Sequence, residues 1–185
     1  ESAKAEAYET LAKDEGKLFP DTYLFAKGSS LEVIAEKMLD NFEIKTKGLN
    51  ISDENLILAS LVEREAKYDQ DRPMIAGVMD NRLKIGMALQ IDATLQYVMD
   101  NQRPIGAQWW QTVATADKKV KSPFNTYLNK GLPSTPICSP GLSSIKAALN
   151  PAISDYLYYV SEDNGTTHYA KTLAEHNENV RKYLK

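Results

Sequence analysis

The stretch from Asn55 to Ala66, Asn-Leu-Ile-Leu-Ala-Ser-Leu-Val-Glu-Arg-Glu-Ala, carries two carboxylates two residues apart. A helix sets them on different sides. With Ile57 at zero and about 100° per residue, Leu61 falls at about 40°, Leu58 at about 100° and Val62 at about 140°, which defines an apolar stripe. Glu65 falls at about 80°, inside the stripe, and Glu63 at about 240°, on the far side. A carboxylate set among Leu and Val loses solvation, so its pKa rises and it can hold a proton near neutral pH. That is the property of a general acid. Two other readings fit the same pattern: a helix exposed at this point, or Glu65 paired with a buried arginine.

A second group of residues has the chemistry to grip an oxygen-rich ligand. The run from Asn81 to Asp92 contains Asn81, Arg82, Gln90 and Asp92. Amides both donate and accept, and arginine adds a planar fork of donors. Asn125 and Tyr127 repeat the theme and add a flat aromatic face, a combination suited to carbohydrate on an ordered loop. Taken singly, Asn81 and Asn125 also suit turn closure, and Asp92 also suits a helix cap. Trp109 and Trp110 fit either a sugar platform or a half-buried pair in a surface loop. The two histidines, His168 and His176, straddle a strand-to-helix junction without metal-ligand spacing, so no metal site is expected. The chain has neither a nucleophile-elbow motif nor a glycine-rich phosphate loop.

Bulk composition narrows the classes. The 185 residues are 43% hydrophobic and 25% charged, ordinary values for a globular chain. A net charge of -3 gives no reason to expect a nucleic-acid surface. Cys138 is the only cysteine, which excludes an internal disulfide and a cysteine-rich zinc site. No apolar run is long enough to cross a bilayer, and no signal peptide is present. The chain starts Glu1-Ser2-Ala3-Lys4 without methionine, as a piece of a longer protein would, with any anchor upstream.

The elements that must position these residues follow from periodicity and punctuation. Residues 2–14 read as a helix ending near Gly16, and residues 18–25 as an extended aromatic segment. Ser29 or Ser30 caps a helix over 31–42, and Ser52 or Asp53 caps the one carrying Glu65. Pro73 suits the first turn of a helix over 72–83, closed by Gly86. Helices are further expected over 92–99, 144–149 and 173–184. Residues 100–122 form a surface excursion, and four prolines between Ser122 and Pro140 mark an ordered irregular loop. Residues 156–160 and 167–170 flank Glu162-Asp163-Asn164-Gly165 as a β-hairpin. The fold class is α+β: a helix-majority single catalytic domain over 1–185, with a helical lead-in over 1–14 and a small antiparallel hairpin near the C-terminus.

In order along the chain, Leu58 to Glu65, Arg72 to Val78, Asn81 to Gln90 and Asp92 to Thr94 resemble the endolytic murein transglycosylase family, also called MltG or YceG-like. The resemblance continues through Ser122 to Tyr127, Gly131 to Pro133, Pro136-Ile137, Ser139 to Gly141 and Ser144 to Ala148. It closes with Tyr156 to Val160, His168 and Glu175 to Asn177, and upstream it takes in Glu15 to Tyr23. It spans roughly residues 14–185. The chain departs from the commoner pattern at Gly131 to Ser134, where a second proline is usual, and at Thr166-Thr167.

The resemblance implies a bacterial cell-wall enzyme that cuts peptidoglycan glycan strands internally and needs no cofactor. It implies an upstream LysM-like segment and a single-pass anchor holding the full-length protein at the extracytoplasmic face of the cytoplasmic membrane. Its partners would be glycan strands and cell-wall synthesis proteins, with no nucleic acid. The family's catalytic glutamate maps onto Glu65, the residue that helical phase selects independently. Protonated Glu65 would donate to the oxygen between N-acetylmuramic acid and N-acetylglucosamine, then accept the proton of the muramic C6 hydroxyl as a 1,6-anhydro end closes. Asn81, Gln90, Asp92, Asn125 and Tyr127 are the candidates for holding the sugar. Glu63 faces away and Asp92 can cap a helix, so neither is expected to partner Glu65 strongly. The alternatives are a lysozyme-like muramidase, a non-catalytic peptidoglycan-binding module and a structural interaction domain.

Overall fold

Ser52 starts the central helix. Its hydroxyl accepts the backbone N–H of Asn55, whose side chain in turn accepts the Ser52 N–H, so two N-terminal donors are satisfied reciprocally. The computed structural model describes residues 11–102 and 108–184. Among these lie six α-helices and one two-stranded sheet. They are α1 (Leu31–Lys45), α2 (Asp53–Glu65), α3 (Arg72–Lys84), α4 (Asp92–Asp100), α5 (Leu142–Leu149), β1 (Tyr158–Ser161), β2 (Thr167–Ala170) and α6 (Leu173–Tyr183). The expected fold class, helix-majority with a late antiparallel hairpin, is what the structure has. Most of the expected lead-in helix lies outside the described residues; Leu11 and Ala12 are helical and turns follow to Lys17.

The helix α2 is buried on every side from Leu56 to Val62, packed between α5, α3 and α4. The apolar stripe is therefore not the whole buried surface. Ala59 and Ser60, on the side of Glu63, are fully buried, and α5, which packs along α2, brings its own buried small residues Ser144, Ala147 and Ala148. Ser60 uses its hydroxyl twice, donating to the Ile57 carbonyl (2.7 Å) and accepting the Ile137 N–H (3.1 Å). Glu63 thus points at protein rather than at solvent, which a helical wheel alone does not reveal.

The row Pro73, Gly77 and Asn81 on α3 shapes the chain that follows α5. A Cβ at Gly77 would lie 2.3 Å from the Ala152 carbonyl oxygen, so only glycine admits this approach. The Ala152 N–H donates to the Pro73 carbonyl (2.8 Å), and Asn81 Nδ2 donates to the carbonyls of Ser154 (2.8 Å) and Tyr156 (3.0 Å). Arg82 Nε adds a bond to the Leu157 carbonyl (2.6 Å). The segment 152–157 is clamped along α3 and delivers β1 beside the C-terminus of α2. The strands pair antiparallel with Tyr159 opposite Tyr169 and Val160 opposite His168. Thr172 and Glu175 then form a second reciprocal cap that opens α6. No helix among the described residues is long and apolar enough to cross a membrane.

Candidate active site

Glu65 is the last residue of α2. The negative end of the helix dipole disfavours a second negative charge there. Its side chain opens onto a cleft of about 440 Å³ whose walls include Arg82, Gln90, Asp92, Tyr127, Tyr159 and His176. Tyr159, from β1, donates its hydroxyl to Glu65 Oε2 at 2.6 Å. Burial raises the Glu65 pKa above the usual carboxylate range, and the charge of Asp92 adds to the rise. The Tyr159 hydrogen bond and the guanidinium groups of Arg64 and Arg82 pull the other way. The result is a carboxyl that keeps its proton longer than a solvated glutamate and can still ionise, as an acid-then-base residue requires. Neither alternative reading survives: the group is not on an exposed helix face, and its direct partner is a tyrosine hydroxyl.

Glu63, two residues earlier, has a different task. Its Oε2 accepts from Arg72 Nη1 (3.0 Å), the Ser144 hydroxyl (2.7 Å) and the Gly141 N–H (3.1 Å), and Oε1 faces Arg72 Nη2 (3.4 Å). This carboxylate ties α2 to α3 and to the start of α5, away from the cleft.

The expected sugar-holding residues divide in two. Gln90, Asp92 and Tyr127 line the cleft. Gln90 adopts a left-handed backbone (φ 56), which costs a non-glycine residue about 1 kcal/mol and is held by its N–H bond to the Thr126 carbonyl (3.0 Å). Tyr127 donates its hydroxyl to Asp92 Oδ1 at 2.5 Å. Burial and the neighbouring Asp92 carboxylate push the Tyr127 phenol above its ordinary range, so it stays a donor. Asp92 makes no capping bond, because the N-cap position of α4 is Ile91, and its carboxylate is left in the cleft beside Glu65. The reading of Asp92 as a helix cap is thereby corrected; its charge raises the Glu65 pKa, behind burial and the Tyr159 hydrogen bond in size.

Asn81 and Asn125 do not face the cleft. Both amide hydrogens of Asn81 are spent on the carbonyls of Ser154 and Tyr156. Asn125 is fully buried; its Nδ2 donates to the carbonyls of Lys118 (3.1 Å) and Val120 (2.7 Å), and its Oδ1 accepts the Tyr127 N–H (2.9 Å). These two amides build the walls that carry Tyr159 and Tyr127. Trp110 also lies elsewhere, with its ring 3.5 Å from the Arg64 guanidinium and its backbone N–H donating to Asp100 Oδ2 (2.6 Å).

Sequence reasoning missed several cleft residues, Tyr159, Lys118 and His176 among them. Tyr159 was visible only as one tyrosine of a strand, and nothing local marks it as the partner of Glu65. Lys118, whose ammonium sits 4.5 Å from the centre of the Tyr127 ring, comes from the excursion that lacked periodicity. His176 stacks on Tyr158 (5.3 Å between ring centres) with its Nδ1 buried and unpartnered, and burial and Arg82 lower its pKa. His168 instead pairs with Glu162 (2.6 Å) and stacks on Tyr183, away from the cleft. No cluster of three His, Cys, Asp or Glu side chains suited to a metal occurs among the described residues.

Comparison with known proteins gives these features relatives. A Bacillus subtilis (strain 168) protein named endolytic murein transglycosylase is 39% identical over 179 residues, covering 92% of this chain and 48% of that protein. One of the same name from Streptococcus pneumoniae (serotype 2, strain D39) is 35% identical over 185 residues, covering 92% of this chain and 32% of that protein. The chain therefore spans about half the length of the first and about a third of the second. A 2.6 Å crystal structure of a yceG-like protein from Listeria monocytogenes superposes with a TM-score of 0.78 at 33% identity, over 94% of this chain and 62% of that one. The model of the YceG-like family matches residues 1–182, and the chain belongs to that family.

Proposed function

We propose that this chain is the catalytic region of an endolytic peptidoglycan lytic transglycosylase, cleaving the β-1,4 bond between N-acetylmuramic acid and N-acetylglucosamine within glycan strands. The observation that carries the reading is the Glu65 carboxyl, buried at the end of α2, opening onto a cleft and hydrogen-bonded to Tyr159. The name of the relatives, endolytic murein transglycosylase, supports the substrate.

Protonated Glu65 gives its proton to the glycosidic oxygen as the bond from that oxygen to C1 of the muramic residue breaks. The carboxylate left behind takes the proton of the C6 hydroxyl, whose oxygen forms the new bond to C1. The end produced is a 1,6-anhydro sugar, and no water is consumed. Because Tyr159 donates to Oε2, Oε1 is the oxygen free to carry the moving proton. In the full-length protein this region acts on the extracytoplasmic face of the cytoplasmic membrane, carried by an upstream anchor and LysM-like segment, alongside the proteins that synthesise the wall.

One observation favours a second reading. Asp92 places another carboxylate in the cleft, and paired carboxylates are the usual equipment of hydrolysing glycosidases such as muramidases. Mass analysis of the ends released from purified peptidoglycan separates the two. Ends lighter by one water support the transglycosylase; ends carrying the added water would assign the chain to the hydrolases. A peptidoglycan-binding module would release no ends and bind glycan equally well with Glu65→Gln.

A further inference from the structure

Asp92 is the first residue of α4 and is exposed on the cleft that holds Glu65. Its carboxylate is not used by the helix, whose N-cap is Ile91. Among the described residues its side chain accepts one hydrogen bond, from the Tyr127 hydroxyl to Oδ1. The backbone that presents it is fixed on both sides. Gln90 is held left-handed by the Thr126 carbonyl, and the buried Ile91 N–H donates to Thr126 Oγ1 (2.9 Å), which itself meets Thr94 Oγ1 (3.1 Å). Asn125, buried among the carbonyls of Lys118 and Val120, sets the position of Tyr127. A solvated surface carboxylate needs none of this support; a charge that must stay at one point in a reaction site does.

We propose that Asp92 is a second catalytic carboxylate, held by Tyr127 so that its negative charge faces the bound sugar and stabilises the positive charge developing at the anomeric carbon. The inference rests on the glycan-cleaving reading above. It leaves the balance of that step unchanged: the C1–oxygen bond breaks as the Glu65 proton moves to the leaving oxygen, the C6 oxygen bonds to C1, and its proton returns to Glu65. Asp92 exchanges no proton and forms no bond. It acts through its field across the cleft it shares with Glu65. The same field helps keep Glu65 protonated before the bond breaks. The groups that face Glu65 against it are Arg64 on α2, Arg82 on α3 and the Tyr159 hydroxyl on β1. Tyr127, Lys118, Tyr158 and His176 complete the titratable lining.

Asp92→Asn removes the charge and keeps an oxygen for Tyr127. In the purified chain acting on peptidoglycan, kcat falls about ten- to a hundred-fold while KM stays within about twofold, as loss of a transition-state interaction requires. The alkaline limb of the kcat profile moves to lower pH, because Glu65 gives up its proton more readily without the neighbouring charge. Asp92→Glu, which restores the charge, recovers much of the rate. An NMR titration of the Glu65 carboxyl in the substrate-free protein reads the same field without any turnover, and its midpoint drops in Asp92→Asn. A kcat within about twofold of wild type, a rise in KM alone, or an unmoved Glu65 titration overturns the proposal. Failure of the underlying reading looks different: Glu65→Gln would still release anhydro ends.

Discussion

Glu63 and Glu65 are two residues apart on one helix, and they do opposite work. Glu63 accepts from an arginine, a serine hydroxyl and a backbone N–H, a set that satisfies its charge and locks α2 to α3 and α5. Glu65 has one tyrosine hydroxyl and an open cleft, a set that leaves its charge under-compensated. The difference lies in the neighbours and not in the residue type. A carboxylate with full partners is a structural pin, and one with few partners in a buried place is suited to carrying a proton.

Substitutions at the two ends of this contrast break it most strongly. Glu65→Gln lowers turnover by about a thousand-fold or more, measured as release of glycan ends, and leaves the fold intact. It also stabilises the protein in a pH-dependent way. The folded-state pKa of Glu65 is raised, so wild type is uncompromised below the usual carboxylate range and loses stability as pH rises through the folded value. The gain in Tm of Glu65→Gln over wild type therefore grows as pH rises from the usual carboxylate range through the raised folded value, and levels off above it. Glu63→Ala leaves a largely buried Arg72 with only the exposed Asp69 as an ion partner and destabilises by about 1–3 kcal/mol in denaturant unfolding.

Smaller effects sharpen the same division. Asn81→Ala and Asn125→Ala each leave two carbonyls without a donor and cost about 1–3 kcal/mol of stability in thermal unfolding. Were they sugar contacts, the loss would fall on KM with stability unchanged. Tyr159→Phe removes the donor that favours ionised Glu65, so the alkaline limb of the kcat profile moves to higher pH, opposite to Asp92→Asn. The rate at neutral pH falls by about tenfold or less, since the acid itself is retained.

Much of the frame was legible in the sequence because local signals carried it. Ser52, Pro73, Gly86 and the Glu162 to Gly165 turn mark element ends by chemistry that acts within a few residues. Helical phase also separated Glu65 from Glu63, although it took the Glu63 side for a face turned away from the core, which α5 in fact covers. Asn81 and Asn125 show the limit. An asparagine reads the same whether its amide meets a sugar or a backbone carbonyl, and the carbonyls that Asn81 binds lie more than seventy residues along the chain. Tyr159 was hidden for the same reason, being placed by the clamp along α3 and not by its own neighbours.

The central claim is that the proton of the reaction rides on Glu65 and that Glu63 only holds the helix. The most direct test is the rate of anhydro-end release from purified peptidoglycan, per folded molecule, by Glu65→Gln and Glu63→Gln side by side. No measurable release is expected from the first, and release near the wild-type rate from the second. Anhydro ends produced by Glu65→Gln at the wild-type rate would contradict it.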